Sequence, residues 1–282
     1  MRQGRATGTG LAGAAKTLGG VLSTTGSVKR PPDLSFIMPC YNEEEVLGYT
    51  IPKFVGAFRQ AGYQLELIAV DNGSKDRTGD IIRQFATEYP EVVLHSIEIN
   101  QGYGNGILAA IPLASGPWVG MIPCDGQVDA EDVVRLFEAA KASNGQVVAK
   151  VRRRFRMDGW QRKIVSIAYQ CYIRLLWPSL GSIDVNGSPK ILPADDLRAM
   201  RLESKGWLLD PELMVKAYYR NLRVLELNVF ARMRGGGMSH VRASACWSFF
   251  SELLAARLTG RWRMSPARHE AGLAPSAGPG QR

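Results

Sequence analysis

Short apolar segments alternate with amphipathic segments five times between residues 34 and 151, and this alternation constrains the fold most. The apolar segments are LSFIMPC, LELIAV, EVVLHSIEI, WVGMIP and GQVVAKV, each with the length of a buried strand. The intervening stretches, such as RTGDIIRQFATEY and AEDVVRLFEAAKA, have the apolar spacing of helices. Strands that alternate with helices in this way form a mostly parallel sheet with helices on both faces. The sequence therefore predicts an α/β fold.

Polar side chains follow four of the predicted strands. They lie in Tyr41–Glu43, in Asp71–Ser74, at Asn100 and at Asp125. In parallel sheets, ligands bind beyond the carboxyl ends of the strands, where such residues meet. The sequence therefore predicts one binding site built from four loops at one edge of the sheet.

The stretch MIPCDGQVDAED, residues 121–132, contains the clearest candidate for a metal site. Asp125 and Gln127 offer oxygen ligands of the kind that Mg²⁺ or Mn²⁺ takes together with substrate phosphates. Pro123 stands where an earlier second carboxylate would strengthen such a site. Asp129 is predicted to cap the helix that starts at Ala130. The alternative is an acidic turn that does no more than cap this helix.

Two glycine-containing loops permit more than one interpretation. VDNGSKDRTGD has the residues of a turn and a helix cap, but a carboxylate at a strand end can also bind a ribose hydroxyl or a base N–H. In NQGYGNG the glycines are spaced GxGxG, and Ile107 stands where the third glycine of a dinucleotide-binding loop would be. This spacing argues against a dehydrogenase or methyltransferase.

The charge of the chain favours anionic partners. Lys and Arg number 35 against 26 Asp and Glu, giving a formal net charge of +9. The excess is concentrated in residues 1–30 and 150–163. Three histidines without metal-ligand spacing argue against a zinc site, and four scattered cysteines predict small buried side chains. No run of 18 apolar residues occurs.

We predict three segments along the chain. Residues 1–32 are a basic disordered tail without the apolar stretch of a secretory signal, and residues 33–240 are the α/β domain. Residues 241–282 are an amphipathic helix and a flexible tail. The aromatic-rich segments SIAYQCYIRLLWPSL and ACWSFFSELLAARL either pack within the domain or lie in a bilayer interface.

The motifs PCYNEEEVL, VDNGSKDRT, NQGYGNG and CDGQVDAED, in this order and spacing, resemble family-2 glycosyltransferases of the GT-A fold. The nearest branch is that of polyprenyl-phosphate (dolichol-phosphate-type) sugar transferases. The resemblance covers roughly residues 34–240, and GWLLDPELMVKA and RGGGMS continue it. It implies a GT-A-type, Rossmann-like sheet with a C-terminal helical extension. It also implies inverting transfer from a nucleotide sugar to a polyprenyl phosphate with Mg²⁺ or Mn²⁺.

The resemblance also implies roles for individual residues. Where the family has Asp-x-Asp, this chain has Pro-Cys-Asp, so Pro123 replaces the first acid. A phosphate acceptor is already ionised, whereas a hydroxyl acceptor needs a base, for which Asp210 and Glu212 are the candidates. The implied nucleotide-sugar contacts are Pro39, Tyr41, Glu43, Asp71, Asn100 and Gly102; the metal ligands are Asp125 and Gln127, with Asp125 also catalytic; and the acceptor-phosphate contacts are Arg153, Arg156, Arg162, Arg234 and Ser239, with Arg234 also catalytic.

Two other functions remain open at the level of sequence. One is a glycosyltransferase that acts on a hydroxyl of a saccharide or small molecule. The other is a catalytically weak nucleotide-sugar-binding protein, which Pro123 suggests. For the main hypothesis we expect a cytoplasmic protein, or one peripheral on the cytoplasmic membrane face, with no nucleic-acid partner.

Overall fold

The computed structural model of the chain describes residues 30–143, 145–155, 160–230 and 243–264, without the side chains of 153–155, 160–165 and 243–248. The segment boundaries predicted at residues 32 and 240 therefore stay predictions. The strands are β1 (Leu34–Cys40), β2 (Leu65–Asn72), β3 (Val92–Ile97), β4 (Trp118–Met121), β5 (Val147–Phe155), β6 (Lys190–Pro193) and β7 (Arg223–Phe230). The helices are α1 (Glu44–Gln60), α2 (Thr78–Glu88), α3 (Tyr103–Ala110), α4 (Ala130–Lys141), α5 (Trp160–Leu176), α6 (Ala194–Met200), α7 (Leu209–Tyr219) and α8 (Ala243–Thr259), and a 3₁₀ turn spans Ile111–Leu113.

The strands form one seven-stranded sheet in the order β3-β2-β1-β4-β6-β5-β7. β1, β2, β3 and β4 are mutually parallel, and β5 pairs with β7 in parallel. Only β6 runs against its neighbours β4 and β5 among the strands described. The predicted mostly parallel α/β sheet is confirmed.

Helices cover both faces of the sheet. Alternate residues of a strand point to opposite faces and therefore pack against different helices. Phe36 and Met38 of β1 pack with α1, α2 and α4, where Phe58 and Phe137 lie fully buried. Ile37, between them in sequence, packs with α3, α5, α6, α7 and α8. The fully apolar pattern of β1 therefore reflects burial on two sides.

Helix α3 begins inside the segment NQGYGNG, which the sequence predicts to be a loop through residue 106. Gly104 lies in this helix, and only glycine fits there because a Cβ would overlap the carbonyl oxygen of Ser204. Gly106 packs on Pro39, with its hypothetical Cβ at 3.1 Å from the Pro39 Cβ. The glycines thus permit close packing of the helix, and the predicted loop ends at Gly102.

Strand β5 extends beyond the predicted strand GQVVAKV and includes the first part of the basic segment, up to Phe155. β5 continues to Phe155 because it pairs with β7, with Arg152 opposite Asn228 and Arg153 opposite Val229. Helix α1 likewise runs through Pro52 without a break. Cys40 and Cys124 are buried as predicted, but Cys171 is exposed, so that prediction is wrong for Cys171. No helix in the described ranges is long and apolar enough to cross a membrane.

Candidate active site

The four predicted polar segments lie at one edge of the sheet. β1 has β2 on one side and β4 on the other, so the order of the strands changes direction between β1 and β4. The carboxyl ends of β1 to β4 all reach the same edge because these strands are parallel. A crevice at such a switch point is where α/β sheets bind ligands. The predicted convergence of the four loops is confirmed, whereas the individual roles stay predictions.

The loop after β1 is locked to the loop after β2. The backbone N–H of Glu43 donates to Thr78 Oγ1 at 2.8 Å, and the N–H of Lys75 donates to Asn42 Oδ1 at 2.8 Å. Tyr41 stays 37% exposed at the rim, and Glu43 is partly exposed. The two loops therefore form a preorganised wall that presents Tyr41 and Glu43.

The sequence left open whether Asp71 forms a turn or offers a carboxylate to a ligand, and its geometry is compatible with both. Its Oδ1 accepts the backbone N–H of Ser74 at 3.0 Å, which is the turn chemistry. Its Oδ2 lies over Gly79 in the first turn of α2, where a Cβ would stand only 2.5 Å away. The carboxylate is partly exposed. Asp71 thus organises the turn and also presents a carboxylate at the edge of the crevice.

The loop after β3 is held by Asn72, whose role the sequence did not indicate. Asn72 Nδ2 donates to the Gly102 carbonyl at 3.0 Å, and Asn100 Oδ1 accepts the Gly102 N–H at 2.8 Å. Asn72 is 2% exposed, whereas Asn100 is exposed at the rim. Pro39 is buried beneath Gly106, which makes it a floor residue of the site.

The two acids after β4, Asp125 and Asp129, have different surroundings. Asp125 is only 8% exposed, and its Oδ1 accepts the backbone N–H of Gln127 at 3.2 Å. Asp129 occupies the cap position of α4 but makes no side-chain capping bond. Its carboxylate pairs with Lys53 of α1 at 2.7 Å. The predicted cap position of Asp129 is therefore confirmed, but its carboxylate pairs with the lysine of the packed helix instead of bonding to the first turn of α4.

The donor atoms near Asp125 fit a hard divalent cation that a substrate diphosphate helps to hold. Asp125 and Gln127 supply a carboxylate and an amide oxygen, and Mg²⁺ needs only one or two carboxylates when phosphates complete its shell. A bond with the Cys40 thiol, together with burial, raises the pKa of Cys124 well above its usual value, so Cys124 is not a thiolate ligand. Among the described residues, no group of three His, Cys, Asp or Glu side chains could hold a metal by itself.

A buried polar cluster lies beside this stretch, on the face covered by α3, α5 and α7. Asp210, at the start of α7, forms an ion pair with Lys190 of β6, which is 1% exposed. The Tyr103 hydroxyl bonds with Ser188, and burial and the Asp210 charge raise the pKa of Tyr103 well above its usual value. Burial and Asp210 also raise the pKa of Tyr169. Asp210 is thus a charged group in contact with a buried lysine and near two neutral tyrosines.

Glu212 has a structural task. It is fully buried, and its oxygens accept the backbone N–H groups of Glu203 and Ser204 at 3.0 Å and 2.8 Å. Lys216, one helical turn further on, pairs with the same carboxylate at 2.5 Å. Because these donors occupy its oxygens, Glu212 is not available as a base, and Asp210 remains the candidate.

The predicted acceptor-phosphate residues fall largely outside the described structure. Arg153 lies in the second half of β5 and Arg162 in the first turn of α5, but their side chains are outside the described residues. Arg156, Arg234 and Ser239 lie outside them altogether. Their roles stay predictions.

Sequence reasoning did not single out Lys190, Tyr103 or Trp207, and it included Asn72 only as part of the segment Asp71–Ser74. A lysine within the apolar segment PKILP is a signal that could have indicated Lys190, because a charge in a buried strand needs a partner. Tyr103 and Trp207 stack with ring centroids 5.2 Å apart, although they are far apart in the chain. No local pattern predicts such a contact.

Residues 35–196 match the model of a protein family described as "Glycosyl transferase family 2". An undecaprenyl-phosphate 4-deoxy-4-formamido-L-arabinose transferase of Pectobacterium carotovorum is 35% identical over 144 residues, which are 50% of this chain and 43% of that protein. The match thus spans less than half the length of that relative. A dolichyl-phosphate beta-glucosyltransferase of Trichomonas vaginalis is 27% identical over 212 residues, which are 70% of this chain and 64% of that protein.

Solved structures share the fold. Glucosyl-3-phosphoglycerate synthase of Mycobacterium tuberculosis in complex with UDP superposes with a TM-score of 0.62 at 19% identity, over 81% of this chain and 79% of that chain. The same enzyme with Mn²⁺, UDP-glucose and phosphoglyceric acid gives a TM-score of 0.61 at 18% identity, over 82% and 80%. At this identity the likeness concerns the fold, and it confirms the predicted GT-A-type architecture.

Proposed function

Because the chain belongs to glycosyl transferase family 2, we propose that it transfers a sugar from a nucleotide sugar to a polyprenyl phosphate, with inversion at the anomeric carbon. The observation that carries the proposal is the shared edge of β1, β2 and β4, which brings Asp71 and Asp125 to one switch-point crevice. Both relatives named above act on a polyprenyl phosphate according to their descriptions.

In this proposal the donor binds along the edge from β3 to β4. Tyr41, Glu43 and Asp71 hold the nucleoside, because a carboxylate and a rim aromatic suit ribose and base. Asn100 and Gly102 line the path toward Asp125. Asp125 and Gln127 would hold Mg²⁺ or Mn²⁺, which would supply positive charge against the diphosphate leaving group. The solved structures of the same fold with Mn²⁺ support this choice of cation.

The chemical step is a displacement at the anomeric carbon. A phosphate oxygen of the acceptor forms the new bond to that carbon while the bond to the nucleoside diphosphate breaks. The acceptor oxygen is already ionised, so it needs orientation more than a base. The guanidinium groups of Arg153, Arg156, Arg162 and Arg234, with the Ser239 hydroxyl, supply that orientation in our proposal, because arginine binds phosphate through a fork of donors.

The surface of α5 and α8 supports peripheral attachment to a membrane, and we propose the cytoplasmic face as the side of attachment. Ile167, Cys171 and Leu175 are exposed and four residues apart, so they share one face of α5. Leu254 and Leu258 are exposed with the same spacing on α8. Apolar side chains on a helix surface can enter the interfacial region of a bilayer, where a polyprenyl phosphate resides.

A hydroxyl acceptor is the second candidate function, and the Asp210 carboxylate next to the site favours it. Release of nucleoside diphosphate from a panel of UDP- and GDP-sugars tests both functions with the full chain and MnCl₂. We expect release to depend on undecaprenyl phosphate and to be absent with undecaprenol. Release with 3-phosphoglycerate or a free sugar instead supports the second candidate, and donor binding without release indicates a weak or binding-only protein.

A further inference from the structure

Trp207 is a large aromatic side chain that remains 54% exposed beside the proposed site. One face of its indole stacks on the Tyr103 ring, with an interplanar angle of 10° and a centroid distance of 5.2 Å. It lies two residues before the start of α7 and three residues before Asp210. An exposed tryptophan that is stacked on one side offers a flat apolar surface on the other.

The loop that carries Trp207 is fixed from two directions. Glu212 accepts the backbone N–H groups of Glu203 and Ser204, and the Lys205 carbonyl accepts the N–H of Asn105 at 2.8 Å. Gly104 lets this loop approach α3 so closely that no Cβ would fit. The indole is therefore mounted on a rigid support, so little conformational entropy is lost when a ligand covers it.

Tyr103 connects the indole to the chemistry. The Tyr103 hydroxyl bonds with Ser188 and lies within electrostatic reach of both Asp210 and Asp125. Trp207 is thus separated by one ring from the residues proposed to hold the diphosphate and to face the reacting centre. The part of a sugar nucleotide that would occupy this position is the sugar.

We propose that Trp207 determines specificity by stacking on the pyranose ring of the donor sugar, an inference that rests on the function proposed above. A pyranose has an apolar C–H face for the indole and hydroxyl groups at its edge. In the same loop, two residues before Trp207, Lys205 Nζ donates to Gln101 Oε1 at 2.7 Å, and both polar side chains are exposed. An aromatic face with polar groups beside it suits a sugar better than an isoprenoid chain, which has no hydroxyl groups to satisfy.

The test compares a sugar nucleotide with its own nucleoside diphosphate. Calorimetric titration with MnCl₂ uses UDP-glucose, UDP-N-acetylglucosamine and GDP-mannose against UDP and GDP. The proteins are the wild type, Trp207→Ala, Trp207→Phe and the control Tyr49→Ala, whose side chain is 62% exposed on α1. We expect Trp207→Ala to weaken the tightest-binding sugar nucleotide about 3- to 10-fold, the value of one aromatic stack.

The same substitution should leave the affinity for the nucleoside diphosphate unchanged. Trp207→Phe should retain most of the affinity for the sugar nucleotide, and Tyr49→Ala should change neither ligand. Equal losses for both ligands, or no loss for the sugar nucleotide, overturn the proposal, as does an effect confined to the KM for undecaprenyl phosphate. If the wild type binds the donor but transfers nothing, the proposed function fails while the stacking result still stands or falls by itself.

Discussion

At the scale of single residues, the proposed function depends most on Asp71 and Asp125. Asp71 lies at the end of β2 and Asp125 in the loop after β4, and these two strands flank β1. Each is partly engaged by a backbone N–H of its own turn, that of Ser74 for Asp71 and that of Gln127 for Asp125. Because the backbone already orients each carboxylate, the proposed donor site would need little rearrangement on binding. Substitutions at these two positions therefore test binding more than folding.

Asp71→Asn should weaken nucleotide-sugar binding by roughly 10-fold or more, because a charge-assisted hydrogen bond is worth about 1.5–3 kcal/mol. The amide oxygen can still accept the Ser74 N–H, so the turn should persist. Calorimetry with a sugar nucleotide measures the effect, and Asp80→Asn serves as the control because Asp80 pairs at the surface with Arg83. An unchanged affinity removes Asp71 from the donor site.

Metal titration of activity should separate the residues around Asp125. Asp125→Ala should abolish divalent-dependent turnover, whereas Gln127→Ala should be milder because water can replace an amide oxygen. Pro123→Asp adds a carboxylate next to the strand end and should lower the Mn²⁺ or Mg²⁺ concentration needed for half-maximal rate. Full metal-dependent activity in Asp125→Ala would leave the stretch as a turn before α4.

At the scale of elements, α7 carries two acids with different tasks within one turn. Asp210 pairs with Lys190 of β6, whereas Glu212 accepts the backbone N–H groups of Glu203 and Ser204. The sequence LLDPEL predicts that both acids are in the first turn but cannot assign the tasks, because their partners come from β6 and from the preceding loop.

Glu212→Gln should lower the melting temperature by roughly 5–15 °C, because it leaves Lys216 without its buried charge partner, which costs about 3–5 kcal/mol. Turnover of the folded protein at low temperature should be nearly normal.

Asp210→Asn should reduce turnover with a polyprenyl phosphate by less than the roughly 100-fold that loss of a general base costs. A loss of roughly 100-fold or more with this acceptor would contradict the claim that an ionised phosphate needs no base at Asp210.

Among the other elements, the sequence predicted those whose bounds follow from their own residues, and it missed those that depend on contacts with distant residues. β1 spans the predicted segment because both of its faces are buried and its apolar run is unbroken. The start of α3 at Tyr103 was missed because the glycine spacing reflects packing against Ser204, a contact across the sequence. β6 was not predicted because its four residues pair antiparallel with β4 and β5, and a strand this short has no periodicity to detect.

At the scale of the whole molecule, the sheet buries a pair of lysines on neighbouring strands. Lys150 of β5 stands opposite Lys190 of β6, and each pairs with one carboxylate, Glu226 and Asp210. Burial, with the Lys190 charge, lowers the pKa of Lys150 to about 8 against the opposing effect of Glu226. Protonating Lys150 in the folded state therefore costs stability.

Stability should consequently depend on pH through Lys150. Between the folded pKa of about 8 and the ordinary pKa of 10.5, the unfolded chain binds more protons at Lys150 than the folded protein does, so this group makes stability rise with pH. Denaturant unfolding across this window should show that the free energy of unfolding of the wild type increases relative to that of Lys150→Met as the pH rises. Glu226 does not titrate there, so a constant difference contradicts the lowered pKa.

The most direct test of the central claim is the fate of labelled sugar after incubation of the full chain with a radiolabelled sugar nucleotide, Mn²⁺ and undecaprenyl phosphate. Our account predicts that label enters the organic phase, that omission of the lipid phosphate or replacement by undecaprenol prevents it, and that Asp125→Ala does not support it. If nucleoside diphosphate is released while all the label stays in the aqueous phase, the acceptor is not a polyprenyl phosphate and the account is wrong.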